Sequence, residues 1–229
     1  MTLTTAPRAI LFDLDGTLAD TAPDLAAAVN LLRSARGLAP TAYEILRPTA
    51  SAGARGMIGA SFGVTPDDAG FQELRDGFLA NYAAAMAVHS TLFPGVVELL
   101  DGIEAAGLRW GVVTNKPARF TDPLLPQIGL GHAACVVSGD TTAHAKPHPA
   151  PLLEAAARLG LAPEQCWYVG DDLRDIQAGR AAGMATIAAG WGYCGPVEPQ
   201  AWQADYLLPQ PLHILALLQG VLSGSALAA

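Results

Sequence analysis

The sequence feature that most constrains the fold is an apolar run, residues 9–12, that ends in a pair of carboxylates at Asp13 and Asp15. The run is short enough for one buried strand, and the Gly16-Thr17 pair that follows predicts a turn. Because side chains alternate along a strand, Asp13 and Asp15 leave its end on the same side. Two crowded carboxylates are costly unless a cation lies between them or they have separate acid and base roles. Taken alone, the segment equally fits an acidic turn after an edge strand.

Strand and helix patterns alternate from residue 93 onward. Continuous apolar strands are predicted at residues 108–113, 134–137, 166–169, 184–188 and 206–208, and helices at 96–106, 119–128, 150–159, 173–182 and 212–222. Such strands, separated by helices, are typical of a parallel sheet with both faces covered. The predicted fold class is therefore α/β, a Rossmann-like doubly wound parallel sheet.

Residues 21–92 show a different pattern. Helices are predicted at residues 24–35, 41–46 and within 66–88, and no strand pattern of any length occurs there. Pro23 suits the first turn of a helix. We expect an all-helical cap domain, residues 21–92, inserted into a core domain formed by residues 1–20 and 93–229.

Composition excludes several classes of protein. The chain of 229 residues is 51% hydrophobic, which predicts a folded globule, and its net charge of −8 disfavours nucleic acid binding. A small anionic substrate is still compatible, because a bound divalent cation reverses the local field.

Three widely spaced cysteines favour free thiols, and residues 1–8 lack the pattern of a leader peptide. Polar residues and prolines interrupt the uncharged stretch 207–229. We therefore expect a cytoplasmic protein with no membrane span, either monomeric or homodimeric.

Polar residues follow three of the predicted strands, at the edge where ligands bind in sheets of this kind. They are Asp13 and Asp15, then Thr114 and Asn115, then Asp171, Asp172 and Asp175. Each group also has an ordinary structural interpretation, as a polar turn or a helix N-cap. Lys146, in a proline-bracketed loop, suits a phosphate and a carboxylate together, although an isolated lysine is more often a surface residue. Their convergence predicts an active site that holds a phosphate and a hard cation such as Mg²⁺.

Four segments resemble, in order, the motifs of the haloacid dehalogenase superfamily, and the helical insert resembles its α-helical cap. They are Asp13-Leu14-Asp15-Gly16-Thr17, Thr114-Asn115-Lys116, Lys146-Pro147, and Gly170-Asp171-Asp172-Leu173-Arg174-Asp175. The resemblance covers essentially the whole chain. It implies that Asp13 is a nucleophile forming an aspartyl-phosphate and that Asp15 is the general acid and base.

The resemblance also implies the remaining roles. Mg²⁺ would be bound by the Asp13 carboxylate, the Asp15 main-chain carbonyl and Asp171. Thr114, Asn115 and Lys146 would hold the phosphoryl oxygens. Asp175 would orient Lys146. Asp172 would contact the residues that bind the metal and the phosphate, rather than the metal or the phosphate itself. Lys116 and His148 are interpreted as loop neighbours without a role.

The aspartate at position 15 favours phosphate-ester chemistry, because the superfamily's dehalogenases do not keep it and its phosphonatases have alanine there. A phosphomutase acting on a sugar phosphate would keep it and stays an alternative. A non-catalytic binding protein of the same fold would have lost Asp13, Asp15, Lys146 or Asp171, and all four are present.

Closer similarity is to the phosphoglycolate phosphatase group and, within it, to the N-acetylmuramic acid 6-phosphate phosphatases. It rests on residues 51–57, 110–120, 146–149, 170–176 and 190–193. Both substrates carry a carboxylate as well as a phosphate. Arg55, expected in a glycine-flanked cap loop, is the candidate for that carboxylate, although it equally fits a solvated loop residue. His89 is a weaker candidate, and a structural or exposed histidine is the simpler interpretation.

Overall fold

The computed structural model describes residues 6–223 of the chain. Part of the N-terminal stretch on which the absence of a leader was predicted, residues 1–5, lies outside the described residues. So does the end of the uncharged tail, residues 224–229.

The described residues form eight strands and nine α-helices. The strands are β1 (Ala9–Phe12), β2 (Ala19–Asp20), β3 (Thr91–Leu92), β4 (Arg109–Val113), β5 (Val136–Val137), β6 (Cys166–Gly170), β7 (Ala185–Ala189) and β8 (Tyr206–Leu208). The helices are α1 (Ala22–Ser34), α2 (Tyr43–Leu46), α3 (Gly53–Phe62), α4 (Phe71–Ala84), α5 (Val96–Ala105), α6 (Ala118–Gln127), α7 (Ala150–Arg158), α8 (Leu173–Ala181) and α9 (His213–Leu222).

A six-stranded sheet in the order β5-β4-β1-β6-β7-β8 forms the centre of the fold, and every neighbouring pair in it is parallel. β1 lies between β4 and β6, with Phe12 opposite Val112 on one side and Val169 on the other. The residues that follow these three strands therefore emerge side by side at one edge. The predicted α/β fold with a doubly wound parallel sheet is confirmed.

Both faces of the sheet are covered, which explains the uninterrupted apolar strands. On one face, Phe12 and Trp167 belong to the cluster that includes side chains of α1, α5, α6 and α9. On the other face, Leu11 and Tyr168 belong to the cluster that includes side chains of α7 and α8. The alternation of Leu11 and Phe12 between the faces follows from the two-residue repeat of a strand.

The helices α1 to α4 lie between two short strands that pair with each other. β2 and β3 are antiparallel, with Ala19 opposite Leu92 and Asp20 opposite Thr91. Asp24, in the first turn of α1, is buried and accepts hydrogen bonds from the backbone N–H groups of His89 and Ser90, each at 2.9 Å. The two ends of the segment that carries α1 to α4 therefore lie side by side. The division into a core and a cap at residues 20/21 and 92/93 stays a proposal, which this pairing supports.

One expectation for the insert was wrong. Arg55 does not lie in a loop but in helix α3, which the sequence analysis did not predict. Three glycines, Gly53, Gly56 and Gly59, lower the helix propensity of this segment and so conceal it. Gly56 has a packing reason, since a Cβ atom there would lie 2.3 Å from the carbonyl oxygen of Thr49.

All three cysteines are free in the structure, as expected. Within residues 6–223, no helix combines the length and the apolar character that crossing a bilayer requires.

Candidate active site

Asp13 follows β1 directly and is buried at the carboxyl edge of the sheet. Its Oδ1 atom accepts a hydrogen bond from the Leu14 N–H at 2.7 Å and lies 2.9 Å from the Lys146 Nζ. No described residue contacts its Oδ2 atom through a hydrogen bond or ion pair. Burial raises the pKa of Asp13 to about 7; the Lys146 charge opposes this shift and the Asp175 charge adds to it. One carboxylate oxygen is therefore fixed while the other is left for a ligand.

Lys146 is fixed by four partners. Its ammonium lies 2.9 Å from Asp13 Oδ1, 2.7 Å from Asp175 Oδ1, 2.8 Å from the Tyr168 hydroxyl and 2.9 Å from the Val113 carbonyl oxygen. Its side chain is 2% exposed. Although burial works against it, the nearby carboxylates raise the pKa of Lys146, so the ammonium stays charged.

Asn115 holds the loop that carries Lys146. The Asn115 side chain accepts from the Lys146 N–H at 2.9 Å and donates to the Lys146 carbonyl at 3.0 Å. The sequence analysis predicted only that Asn115 would hold phosphoryl oxygens, and it did not predict this contact with Lys146. Thr114 is buried, and its Oγ1 atom accepts from the Lys116 N–H at 3.1 Å, which leaves its hydroxyl proton available to a ligand.

Three buried carboxylates meet beside this lysine. Asp13, Asp171 and Asp175 each offer one oxygen, and these oxygens lie within 4.8 Å of one another. Burial, followed by the charges of Asp13 and Asp175, raises the pKa of Asp171 well above its usual range. Three carboxylates face one ammonium, so the cluster lacks positive charge. Hard oxygen donors with an uncompensated charge suit a divalent cation such as Mg²⁺.

The contacts of Asp171 come from three separate parts of the chain. Its Oδ1 atom accepts from the Thr17 hydroxyl at 2.9 Å, and its Oδ2 atom accepts from the Tyr193 N–H at 3.0 Å and the Ser51 hydroxyl at 3.1 Å. Two glycines make room for it. A Cβ atom on Gly16, where φ is +87°, would lie 2.1 Å from Asp171 Oδ2, and one on Gly192 would lie 2.2 Å from Asp171 Cβ.

Asp15 points away from this acidic cluster. Its Oδ1 atom lies 2.8 Å from Lys116 Nζ and also accepts a short hydrogen bond from the Thr21 hydroxyl. Although burial works against it, the Asp15 carboxylate raises the pKa of Lys116, so Lys116 stays charged. No hydrogen bond or ion pair within the described part of the chain reaches Oδ2 of Asp15. Lys116, to which the sequence analysis gave no role, is thus fixed against a proposed catalytic carboxylate.

Asp175 and Asp172 hold the start of α8. Asp172 is the N-cap of this helix and accepts from the Arg174 N–H at 2.9 Å, while Asp175 Oδ2 accepts from the Asp172 N–H at 3.1 Å. Although burial opposes the shift, the Arg174 guanidinium lowers the pKa of Asp172. Arg174 also donates to the Ser51 carbonyl at 2.9 Å. Asp172 therefore contacts Arg174 and Asp175, and no hydrogen bond or ion pair joins it to Asp13 among the described residues.

A cavity of about 290 Å³ opens above these residues, between the sheet edge and the helices α3 and α4. Its polar end contains Asp13, Asp15 and Thr114. Its other walls carry basic and apolar side chains, namely Arg55, Arg75, Lys116, Arg119 and Arg174 together with Leu25, Phe78, Leu79, Tyr82 and Phe120. An acidic protein thus presents a locally basic cavity, which suits an anionic ligand.

The candidate His89 and the loop neighbour His148 do not line the cavity. His89 is exposed, and His148 is an exposed loop residue whose Nδ1 atom accepts from the Ala150 N–H. Arg55 is exposed on α3 and lines the cavity, as its proposed role requires. The sequence analysis assigned no role to five residues that contact the site, namely Lys116, Thr17, Ser51, Tyr168 and Tyr193. Lys116 could have been found from the sequence, because it lies inside a quoted motif, two residues after Thr114.

The chain is similar to known hydrolases over most of its length. The sequence profile of the haloacid dehalogenase-like hydrolases matches residues 7–183. A phosphoglycolate phosphatase of Xanthomonas campestris pv. campestris is 50% identical over 90% of this chain and 93% of its own. An N-acetylmuramic acid 6-phosphate phosphatase of Pseudomonas putida is 44% identical over 95% and 98%.

Solved structures show the same fold. The crystal structure of a predicted phosphoglycolate phosphatase from Haemophilus somnus has a TM-score of 0.81, with 28% identity, 93% of this chain covered and 98% of that one. The predicted superfamily is confirmed, and these relatives support a phosphatase over the phosphomutase alternative. The chain belongs to the haloacid dehalogenase-like hydrolase family, as a phosphatase of the phosphoglycolate phosphatase-like type.

Proposed function

We propose that the protein is a Mg²⁺-dependent phosphatase that hydrolyses the phosphate monoester of a carboxylated sugar, of the N-acetylmuramic acid 6-phosphate type. The observation that supports this substrate class most strongly is the cavity. Its volume of about 290 Å³ lies at the lower end of the range for small-molecule pockets, and its walls combine apolar and basic side chains as such pockets do. A two-carbon acid such as glycolate offers no apolar surface for Phe78 or Phe120.

In this proposal, Asp13 Oδ2 attacks phosphorus in line with the leaving oxygen, and an aspartyl-phosphate forms as the P–O bond to the alcohol breaks. Asp13 suits this role because Leu14 and Lys146 hold Oδ1 and so aim the other oxygen. The Thr114 hydroxyl, the Asn115 N–H and the Lys146 charge would hold the phosphoryl oxygens.

Asp15 would protonate the leaving alcohol and then accept a proton from the water that hydrolyses the aspartyl-phosphate. Lys116 and Thr21 both hold Oδ1 of Asp15, so the proton transfers fall to Oδ2. Release of the phosphate restores Asp13 and leaves both carboxyl groups ready for another turnover.

The residues proposed to hold Mg²⁺ are Asp13, Asp171 and the main-chain carbonyl of Asp15. The buried cluster of Asp13, Asp171 and Asp175 supports a cation here, because one ammonium does not balance three carboxylates. When bound, the ion supplies positive charge that lets an anionic nucleophile approach an anionic phosphate. Asp175 is already paired with the charged Lys146 ammonium, whereas Asp171 accepts only from uncharged hydroxyl and N–H groups, which favours Asp171 as the ligand.

The carboxylate of the substrate is assigned to Arg55. Arg55 lines the cavity, and the structure shows no hydrogen bond or ion pair between its guanidinium and any other described residue. An unengaged arginine can form a bidentate contact with a carboxylate. The free thiols support a reducing, cytoplasmic location for this reaction.

A second candidate substrate is 2-phosphoglycolate. It is favoured by the Xanthomonas campestris relative, which is 50% identical and named for that activity. Both substrates carry a carboxylate as well as a phosphate, so both offer Arg55 a group to bind.

Phosphate release from the two esters, measured side by side with Mg²⁺ and with a chelator, tests the proposal. We expect a higher kcat/KM for N-acetylmuramic acid 6-phosphate and no release with the chelator. A preference for 2-phosphoglycolate would reject the sugar substrate while retaining the phosphatase. Chelator-resistant hydrolysis would reject the role of the metal.

A further inference from the structure

The Tyr82 hydroxyl is a buried donor without an acceptor. Tyr82 lies in α4, lines the cavity and is 2% exposed. No described residue accepts a hydrogen bond from its hydroxyl. Buried hydroxyl groups nearly always have a hydrogen-bond partner, so an unmatched donor on a side chain that lines a binding cavity is a candidate contact for a ligand.

The charged neighbour of Tyr82 does not remove this need. The Lys116 ammonium lies 4.8 Å from the centre of the Tyr82 ring. A lysine ammonium has only donors, so it can approach the tyrosine oxygen but cannot accept its proton. The Asp15 Oδ1 atom, the acceptor next to Lys116, already receives the Thr21 hydroxyl and Lys116 itself. Burial also raises the pKa of Tyr82, which keeps its proton in place.

The surroundings of Tyr82 select a neutral acceptor. The Phe78 ring stacks with the Tyr82 ring at 6.4 Å between centroids, and the Phe120 ring meets it edge-on at 5.4 Å. The nearest positive charge, Lys116, is paired with Asp15. A carboxylate placed against these rings would lose its hydration and gain no ion pair, because Lys116 is already paired. A neutral sugar hydroxyl or amide group loses less hydration energy there and can accept the hydrogen bond from Tyr82.

We propose that Tyr82 determines specificity for the leaving group, its hydroxyl donating a hydrogen bond to a neutral oxygen of the sugar, either a ring hydroxyl or an amide carbonyl. This inference rests on the proposed function, since it presupposes a sugar phosphate. In this proposal, different residues of the cavity bind the charged and the uncharged parts of the substrate. Arg55 would contact the carboxylate, and Tyr82, with Phe78 and Phe120, would contact the uncharged part of the sugar.

The Tyr82→Phe variant tests this, because it removes one hydroxyl and keeps the aromatic packing. We would measure kcat/KM for N-acetylmuramic, N-acetylglucosamine and glucosamine 6-phosphates, each relative to the small esters 2-phosphoglycolate and p-nitrophenyl phosphate. The loss of one hydrogen bond lowers the sugar-to-small-ester ratio by about tenfold. A fall confined to the two N-acetylated esters identifies the amide carbonyl as the acceptor. A fall for all three sugar esters identifies a hydroxyl.

Two results would overturn the assignment. An unchanged ratio would mean that the hydroxyl does not contact the sugar. An equal loss for sugar and small esters would mean that Tyr82 acts through Lys116 and Asp15 instead. Failure of the proposed function looks different, because the wild-type protein would then show no preference for any sugar ester.

Thermal unfolding of the free protein provides an independent readout. Removing an unpaired buried hydroxyl leaves no partner unsatisfied, so Tyr82→Phe is expected to unfold at the same or a higher temperature than the wild type. A clear decrease would show that the hydroxyl has a partner within the chain. Tyr43→Phe, which removes a hydroxyl from a more exposed tyrosine outside the cavity, is the matched control for both measurements.

Discussion

At the scale of single residues, the site depends on how two carboxylates are held. Asp13 and Asp15 are both fixed through Oδ1, by Lys146 and by Lys116 respectively. In the proposed mechanism each keeps Oδ2 for chemistry. Asp13 faces the acidic cluster and Asp15 faces Lys116 and Thr21, so the different roles proposed for these two identical side chains follow from their surroundings.

The nucleophile assignment predicts the effect of Asp13→Asn. We expect kcat to fall by about a thousandfold or more, since an amide cannot form the aspartyl-phosphate. Asp101→Asn, at an exposed position on α5, is the matched control and should behave like the wild type. Substantial phosphate release by Asp13→Asn would contradict the assignment.

The contact between Lys116 and Asp15 predicts a leaving-group effect. Lys116→Met removes the charge that fixes Oδ1 of Asp15, so proton donation to an alkyl oxygen should suffer most. The initial burst of p-nitrophenol from p-nitrophenyl phosphate should persist, because that leaving group needs no protonation.

A double-mutant cycle separates positioning from substrate binding. If Lys116 acts through Asp15, then Lys116→Met combined with Asp15→Asn should cost little more than Asp15→Asn alone. Additive losses, or a slower burst in Lys116→Met, would show that Lys116 contacts the substrate directly.

Burial of the cysteines predicts how the rate of their alkylation depends on pH. Burial raises the pKa of the Cys135, Cys166 and Cys194 thiols, each to about 11. Because the thiolate is the nucleophile, alkylation of the native protein should be slow at pH 8 and should keep rising beyond pH 9. The unfolded protein should react at the rate of ordinary thiols. Fast native alkylation at pH 8 would contradict the burial of these side chains.

At the scale of helices and strands, apolar patterns predicted most of the core. The strands and helices from residue 93 onward begin and end within about two residues of their predicted positions, because each has a continuous apolar or helical pattern. β2 and β3 have two residues each and no pattern of their own. Helix α3 was missed because its three glycines lower the helix propensity of the segment, and of these only Gly56 is required by close packing.

The site residues that could be predicted from the sequence are those that come directly after a strand. Asp13, Thr114 and Asp171 come directly after β1, β4 and β6, so their convergence followed from a parallel sheet. The contacts of Ser51 and Tyr193 with Asp171 depend on the docking of distant loops, which no local pattern encodes.

The loop after β7 predicts a specific effect of Gly192→Ala. The added methyl group would lie 2.2 Å from Asp171 Cβ and 2.4 Å from the Gly16 carbonyl oxygen, so Asp171 must move. We expect a tenfold or greater fall in kcat, on the order of the loss caused by small displacements of catalytic groups. Activity at low Mg²⁺ should fall further than activity at saturation. Gly59→Ala, where the nearest atom lies 3.9 Å away, is the control. Equal activities would contradict the close packing around Asp171.

At the scale of the whole molecule, the site joins the sheet edge to the helical insert. Ser51 contacts Asp171, and the Tyr193 hydroxyl accepts from the Thr21 and Ala22 N–H groups at the start of α1. The residues around the proposed metal thus connect the sheet to the segment that leads into the insert. Occupancy of the site should therefore affect the stability of the whole chain.

Metal binding predicts a change in thermal stability. A ligand at 100 times its Kd stabilises a folded protein by about 2.7 kcal/mol. In a protein of this size that raises Tm by about 5 °C or more. Mg²⁺ should produce this shift in the wild type and a much smaller one in Asp171→Asn. A full shift in Asp171→Asn would place the metal elsewhere.

The measurement that tests the account most directly is acid quench of the enzyme during turnover, followed by peptide mass spectrometry. The account predicts a phosphoryl group on the peptide that contains Asp13, present during turnover and absent from Asp13→Asn. Hydrolysis at the wild-type rate with the phosphoryl group on another residue, or with none on the enzyme at any quench time, would contradict it.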